Sequence, residues 1–75
     1  MPVSEMHLIV LQEVRNRRVT TLNAMPEVMR QKVIDLGMEE PPLVDTVADA
    51  IFVTSAGERE LLARWRELPA KAKRA

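Results

Sequence analysis

Apolar residues recur at helical spacing near the start of the chain. Met6, Ile9, Val10 and Val14 form a stripe that Leu8 and Leu11 widen. The spacing predicts a first helix over residues 4–17. Ser4 is suited to cap it through its hydroxyl, and Glu5 lies in the first turn, where the helix dipole favours an acid. Arg15, Arg17 and Arg18 fall in the last turn, where the dipole favours bases. The β-branched run Val19-Thr20-Thr21 then breaks the pattern, as a short strand or the entry to a one-turn helix capped by Thr21.

A second periodic stretch follows Pro26, whose missing N–H suits a first helical turn. Met29, Val33 and Leu36 recur at i, i+4 and i+7, so residues 26–36 are predicted helical, with Gly37 ending the helix in a left-handed conformation. Glu39-Glu40-Pro41-Pro42 forces an extended path. The pattern then changes to that of strands at residues 43–47 and 50–53, joined by a tight turn at Ala48-Asp49. Thr54 or Ser55 caps a last helix, Ser55 and Glu58 having capping-box spacing. Leu61, Leu62, Trp65 and Leu68 are the expected buried face of that helix, and Pro69 stops it. One domain over residues 1–69 and a flexible basic tail over 70–75 are therefore expected.

Composition narrows the chemistry. The 75 residues include no cysteine, one histidine, one tryptophan and one phenylalanine. Disulfides, thiol catalysis and sites needing two histidines are excluded, and no paired base accompanies any serine or threonine in sequence. The expectation is a protein that is not an enzyme, holds no cofactor or metal and is cytoplasmic. No apolar run reaches the length of a membrane span. His7 reads as a surface or half-buried side chain, and Trp65 as a core or dimer residue.

Eleven bases balance eleven acids, but not evenly along the chain. Residues 39–60 hold six acids and one base, whereas residues 61–75 hold five bases and one acid. A generic polyanion binder would carry a clear basic excess.

Two stretches carry a family resemblance. Met25-Pro26-Glu27-Val28-Met29-Arg30-Gln31-Lys32-Val33-Ile34-Asp35-Leu36-Gly37-Met38 is similar to the third helix of winged-helix proteins, with an apolar residue four before the glycine and another directly after it. Phe52-Val53-Thr54-Ser55-Ala56-Gly57-Glu58-Arg59-Glu60-Leu61-Leu62 is similar to that family's strand, capping threonine, first-turn glycine and paired apolar helix face. Together they cover about a third of the chain, and the whole resembles small prokaryotic or phage winged-helix domains distantly related to the MarR group. The fold implied is α+β and mostly helical: a winged helix-turn-helix of three to four helices with a small two- or three-stranded β-hairpin wing.

The resemblance implies a DNA-binding regulator of transcription or phage functions, acting as a homodimer on double-stranded DNA. Residues 26–36 would lie in the major groove, with Arg30 and Gln31 as base readers, Lys32 beside them as a DNA contact, and Arg17 and Arg18 on phosphates. The acidic hairpin and the outward Ile34 support an alternative, a winged-helix adaptor or inhibitor that binds a protein partner through Glu27, Ile34, Asp45 and Asp49. A further alternative is a dimeric scaffold joined through the first helix and the Trp65 helix.

Overall fold

The structure is a computed structural model; it describes residues 3–17 and 20–73. Helix α1 (Glu5–Arg17) leads to a short strand β1 (Thr20–Thr21) and a single 3-10 turn (Leu22–Ala24). Helix α2 (Glu27–Gly37) follows, then strands β2 (Val44–Val47) and β3 (Ala50–Val53), helix α3 (Ser55–Ala63), a second 3-10 turn (Trp65–Glu67) and helix α4 (Ala70–Lys73). The strands form one antiparallel sheet in the order β1-β3-β2. The class is α+β, mostly helical, and the layout is that of a winged helix. Its helix-turn-helix is abbreviated, because the element before α2 is one 3-10 turn.

Helix α1 sits at the centre and packs against α2, β3, α3 and α4. Its buried face is Leu8, Val10, Leu11 and Val14, joined by His7 and Gln12. The expected stripe is thus rotated: Met6 is exposed and Ile9 only half-buried. A helix with neighbours on several sides buries more than one stripe, so periodicity alone misplaces its axis of burial. Val33 and Leu36 of α2, Leu43 and Val44 at the start of the hairpin, Ile51, Leu61, Leu68 and Met25 complete the core.

Several local expectations are refined. Ser4 caps α1 by accepting from the His7 backbone N–H at 3.2 Å. Thr21 precedes the first 3-10 turn but makes no side-chain cap. Gly37 closes α2 within the helix and not in a left-handed conformation; Met38, with φ −90°, follows it. The chain bends over residues 38–42, with a cis peptide at Glu40–Pro41, where an extended path was expected. Leu43 ties this bend to the rest: its N–H donates to the Leu36 carbonyl and its carbonyl accepts from Thr54 N–H, both at 3.1 Å.

The hairpin turn at Ala48 and Asp49 has φ values of 45° and 68°. Both central residues are therefore in the conformation that a type I′ turn requires, although neither is Gly or Asn. Thr54, not Ser55, caps α3; its hydroxyl accepts from Gly57 N–H at 3.1 Å and donates to the Pro42 carbonyl at 2.6 Å. Residues 70–73, expected within a flexible tail, form α4, whose Ala72 packs on the core.

Candidate functional site

The third-helix position of the fold belongs to α2. At 100° per residue, Val33 and Leu36 point inward and Glu27, Gln31, Ile34 and Met38 point outward. The exposed residues on this face are chiefly apolar or neutral: Val28 is 69% exposed, Ile34 44% and Met38 79%, with Gln31 among them. Ile34 was recognised from the sequence. Val28 and Met38 were missed, although Met38 stands one turn beyond Ile34 on the same face and Val28 only about 60° to the side of Gln31.

Arg30, Gln31 and Lys32 do not share a face. Positions two apart on a helix differ by about 160° around its axis, so Arg30 and Lys32 lie on opposite flanks of Gln31. Both are half-buried, and among the described residues neither is in an ion pair. Arg17 is engaged by Glu13 one turn earlier, at 2.8 Å. Arg15 reaches across to Glu58 at 2.9 Å, tying α1 to α3. Arg18 lies outside the described residues.

The wing is short and acidic. Strands β2 and β3 have four residues each and meet at a two-residue turn. Asp45 and Asp49 are exposed, and residues 39–53 contain no Lys or Arg. Register places Asp45 opposite Phe52 and Val47 opposite Ala50, so Asp45 and Val47 share one face of the sheet while Val44 and Thr46 share the other. A shallow cleft lined by Ile34, Asp45 and Thr46, among others, joins α2 to this hairpin. The four residues of the adaptor reading, Glu27, Ile34, Asp45 and Asp49, are all exposed. Ile34 and Asp45 share the lining of that cleft.

His7 is buried, contrary to expectation, at 5% exposure. Its Nδ1 accepts from the Ser4 backbone N–H at 3.1 Å and lies 2.6 Å from the Ser4 hydroxyl, while Nε2 lies 2.9 Å from Asp35 Oδ2. This arrangement satisfies the hydrogen bonds of a neutral imidazole protonated on Nε2. The series Ser4–His7–Asp35 has the residue types of a nucleophile, base and orienting acid. Its reciprocal bonds, Ser4 Oγ to His7 N–H and Ser4 N–H to the His7 ring, are instead those of a capping box with His in place of Glu. None of the clefts described here is lined by these three residues. Among the described residues, no three His, Cys, Asp or Glu side chains gather as a metal site needs.

The C-terminal region presents a second surface. Leu62 is 78% exposed and Trp65 37%, so neither belongs to the core face expected of it. Helix α3 ends at Ala63, and Arg64, at φ −114° and ψ 21°, resets the phase so that Leu68 and not Trp65 turns inward. The Arg64 guanidinium bonds Glu67 at 2.7 Å, Glu60 at 3.4 Å and the Val3 carbonyl at 2.6 Å. Its hydrogen bonds to Glu67 hold that exposed carboxyl below its ordinary pKa. Comparison with known proteins gives no match. No family model, curated protein or solved structure corresponds to this chain at a significant level. No helix among the described residues is long and apolar enough to cross a membrane.

Proposed function

We propose that this winged helix is a protein-interaction module that docks a partner through the outward face of α2 and the adjoining acidic hairpin. The carrying observation is the composition of that face. Where a DNA reader sets bases toward the phosphates, α2 sets out Val28, Ile34 and Met38, and the wing beside it offers Asp45 and Asp49. A group of exposed apolar residues on and beside one helix face, rimmed by charge, is the composition of a protein-binding surface. Ile34 is the central anchor, with Glu27 and Asp45 on the rim.

DNA binding is the second reading. Arg30 and Lys32 favour it, because no carboxylate neutralises them among the described residues. Gln31 between them has the donor and acceptor pair that recognises adenine. Anisotropy of a labelled random duplex separates the two. The interaction reading expects no binding at low salt. Binding that weakens steeply with salt, and further on Arg30→Ala or Lys32→Ala, overturns it. A photo-crosslinking residue at Val28 is expected to capture a protein in cells, and Ile34→Asp to abolish the product.

A further inference from the structure

The protein has two unlike surfaces at different places in the fold. An open cleft of about 550 Å³ lies beside the second 3-10 turn, with Leu61, Leu62, Ala63 and Trp65 as its apolar lining and Arg66 among its charges. Lys73 stands over the Trp65 ring, its ammonium 5.7 Å from the ring centre. Among the described residues neither Arg66 nor Lys73 is in an ion pair, and the residues lining the cleft set Arg15, Arg64 and Arg66 against Glu58 and Glu67. The uncompensated charge at this cleft is therefore positive.

The hairpin tip is its complement. Val47 is 65% exposed and stands between Asp45 and Asp49 in sequence, neither of them in an ion pair among the described residues. It is an apolar knob with an acidic border, held at the end of a two-residue turn. No hairpin residue lines the Trp65 cleft of the same molecule. The two features meet only between molecules.

We propose that the hairpin tip of one copy docks into the Trp65 cleft of another, Val47 against Leu62 and Trp65, and Asp45 and Asp49 toward Arg66 and Lys73. This rests on the interaction reading above and names a second copy of this chain as an occupant for its acidic surface. Because knob and cleft are different surfaces, the contact is heterologous, and copies add head to tail. A tip of this size buries less than a standard interface, so dissociation constants on the order of 100 µM are expected. Attraction between opposite charges at a surface weakens as salt rises.

Trp65 is the chain's one tryptophan, so its emission reports the cleft directly. Sedimentation and Trp emission are followed from about 10 µM to about 1 mM, the range around the expected constant. The expected result is concentration-dependent association with a blue shift, reduced by added salt. Val47→Asp and Leu62→Glu, both at exposed positions, are each expected to weaken association by about tenfold or more, since each sets a carboxylate in an apolar contact. Circular dichroism and thermal melting check that both variants fold. Mixing the two is the decisive step. One supplies an intact cleft and the other an intact knob, so the mixture is expected to form a dimer that goes no further. Three results overturn the proposal: a monomeric wild type at the top of the range, loss with Leu62→Glu but not Val47→Asp, or no recovery on mixing. The first leaves the Val28 crosslink free to report on α2 separately. The second means that the cleft pairs with a copy of itself, and such pairing of like charges strengthens with salt.

Discussion

At the start of α3, backbone and helix approach so closely that a side chain has no place. A Cβ added at Gly57 would lie 2.6 Å from Val53 Cγ1 and closer still to the Leu43 carbonyl oxygen. At the end of α2, a Cβ on Gly37 would meet Val44 Cγ2 at 3.7 Å, an ordinary contact, and its backbone is not left-handed. The difference lies in what closes each joint. The β3–α3 joint is closed by proximity: Thr54 N–H bonds the same Leu43 carbonyl that faces Gly57, and the Thr54 hydroxyl spans to Pro42. The α2–β2 joint is closed by the backbone bond from Leu43 N–H to Leu36, while Asp35 ties the same end of α2 to His7 of α1, and its glycine is incidental. Both glycines stand in stretches that resemble a family pattern, yet geometry requires only one.

Substitutions at the two joints put this contrast to the test. The largest effect is expected from Gly57→Ala, which forces the Leu43 carbonyl and Val53 aside. A loss of about 3 kcal/mol in urea unfolding is expected from overpacking of this kind. A neutral result would mean that α3 moves freely on the sheet. Next comes Asp35→Ala, which strips the buried His7 Nε2–H of its acceptor and should cost about 2 kcal/mol by the same measurement. Asp35→Asn, which keeps an acceptor oxygen, should cost less. Thr54→Ala removes the α3 cap and the bond to Pro42, for about 1.5 kcal/mol, and Thr54→Ser should restore most of it. The smallest change is of opposite sign. Gly37→Ala should stabilise by about 0.5 kcal/mol, seen as a raised melting temperature, because the unfolded chain loses freedom while the helix loses nothing. A destabilising Gly37→Ala would show that the α2–β2 joint is as tight as the other.

The parts of this fold that could be read from sequence are those set by local rules. The strand-like runs on either side of Ala48-Asp49 located β3 to the residue and β2 to within one, because a β-branched and aromatic run bounded by a two-residue turn is a local signal. Thr54 was legible as one of two candidate caps, and Gly57 as the first-turn glycine of the family pattern. What could not be read depends on neighbours. The burial of His7 comes from Asp35, 28 positions away, and the local clue was Ser4-x-x-His7, a capping-box spacing without its usual acid. Trp65 reads as inward only if one helical phase is extended past Arg64, where the helix ends; Leu62 lies within α3, and there its neighbour Leu61 takes the buried position. At the candidate site, Ile34 and the acidic hairpin were visible from pattern and charge. The separation of Arg30 from Lys32 around α2 is implicit in helical geometry, but three consecutive polar residues read as one patch until that rotation is counted.

The bond from Arg64 to the Val3 carbonyl joins positions 61 apart in the chain. Leu61 and Leu68 complete the same core that Leu8 and Leu11 open. Helix α1 is thus made before the partners that complete its core, which follow the hairpin. Closing a loop of that length costs on the order of 4 kcal/mol in chain entropy before the core it completes returns anything. A chain interrupted before Leu61 holds an unclosed core with its leucines bare to water, a target for proteases and a seed for aggregation. The domain exists whole or hardly at all.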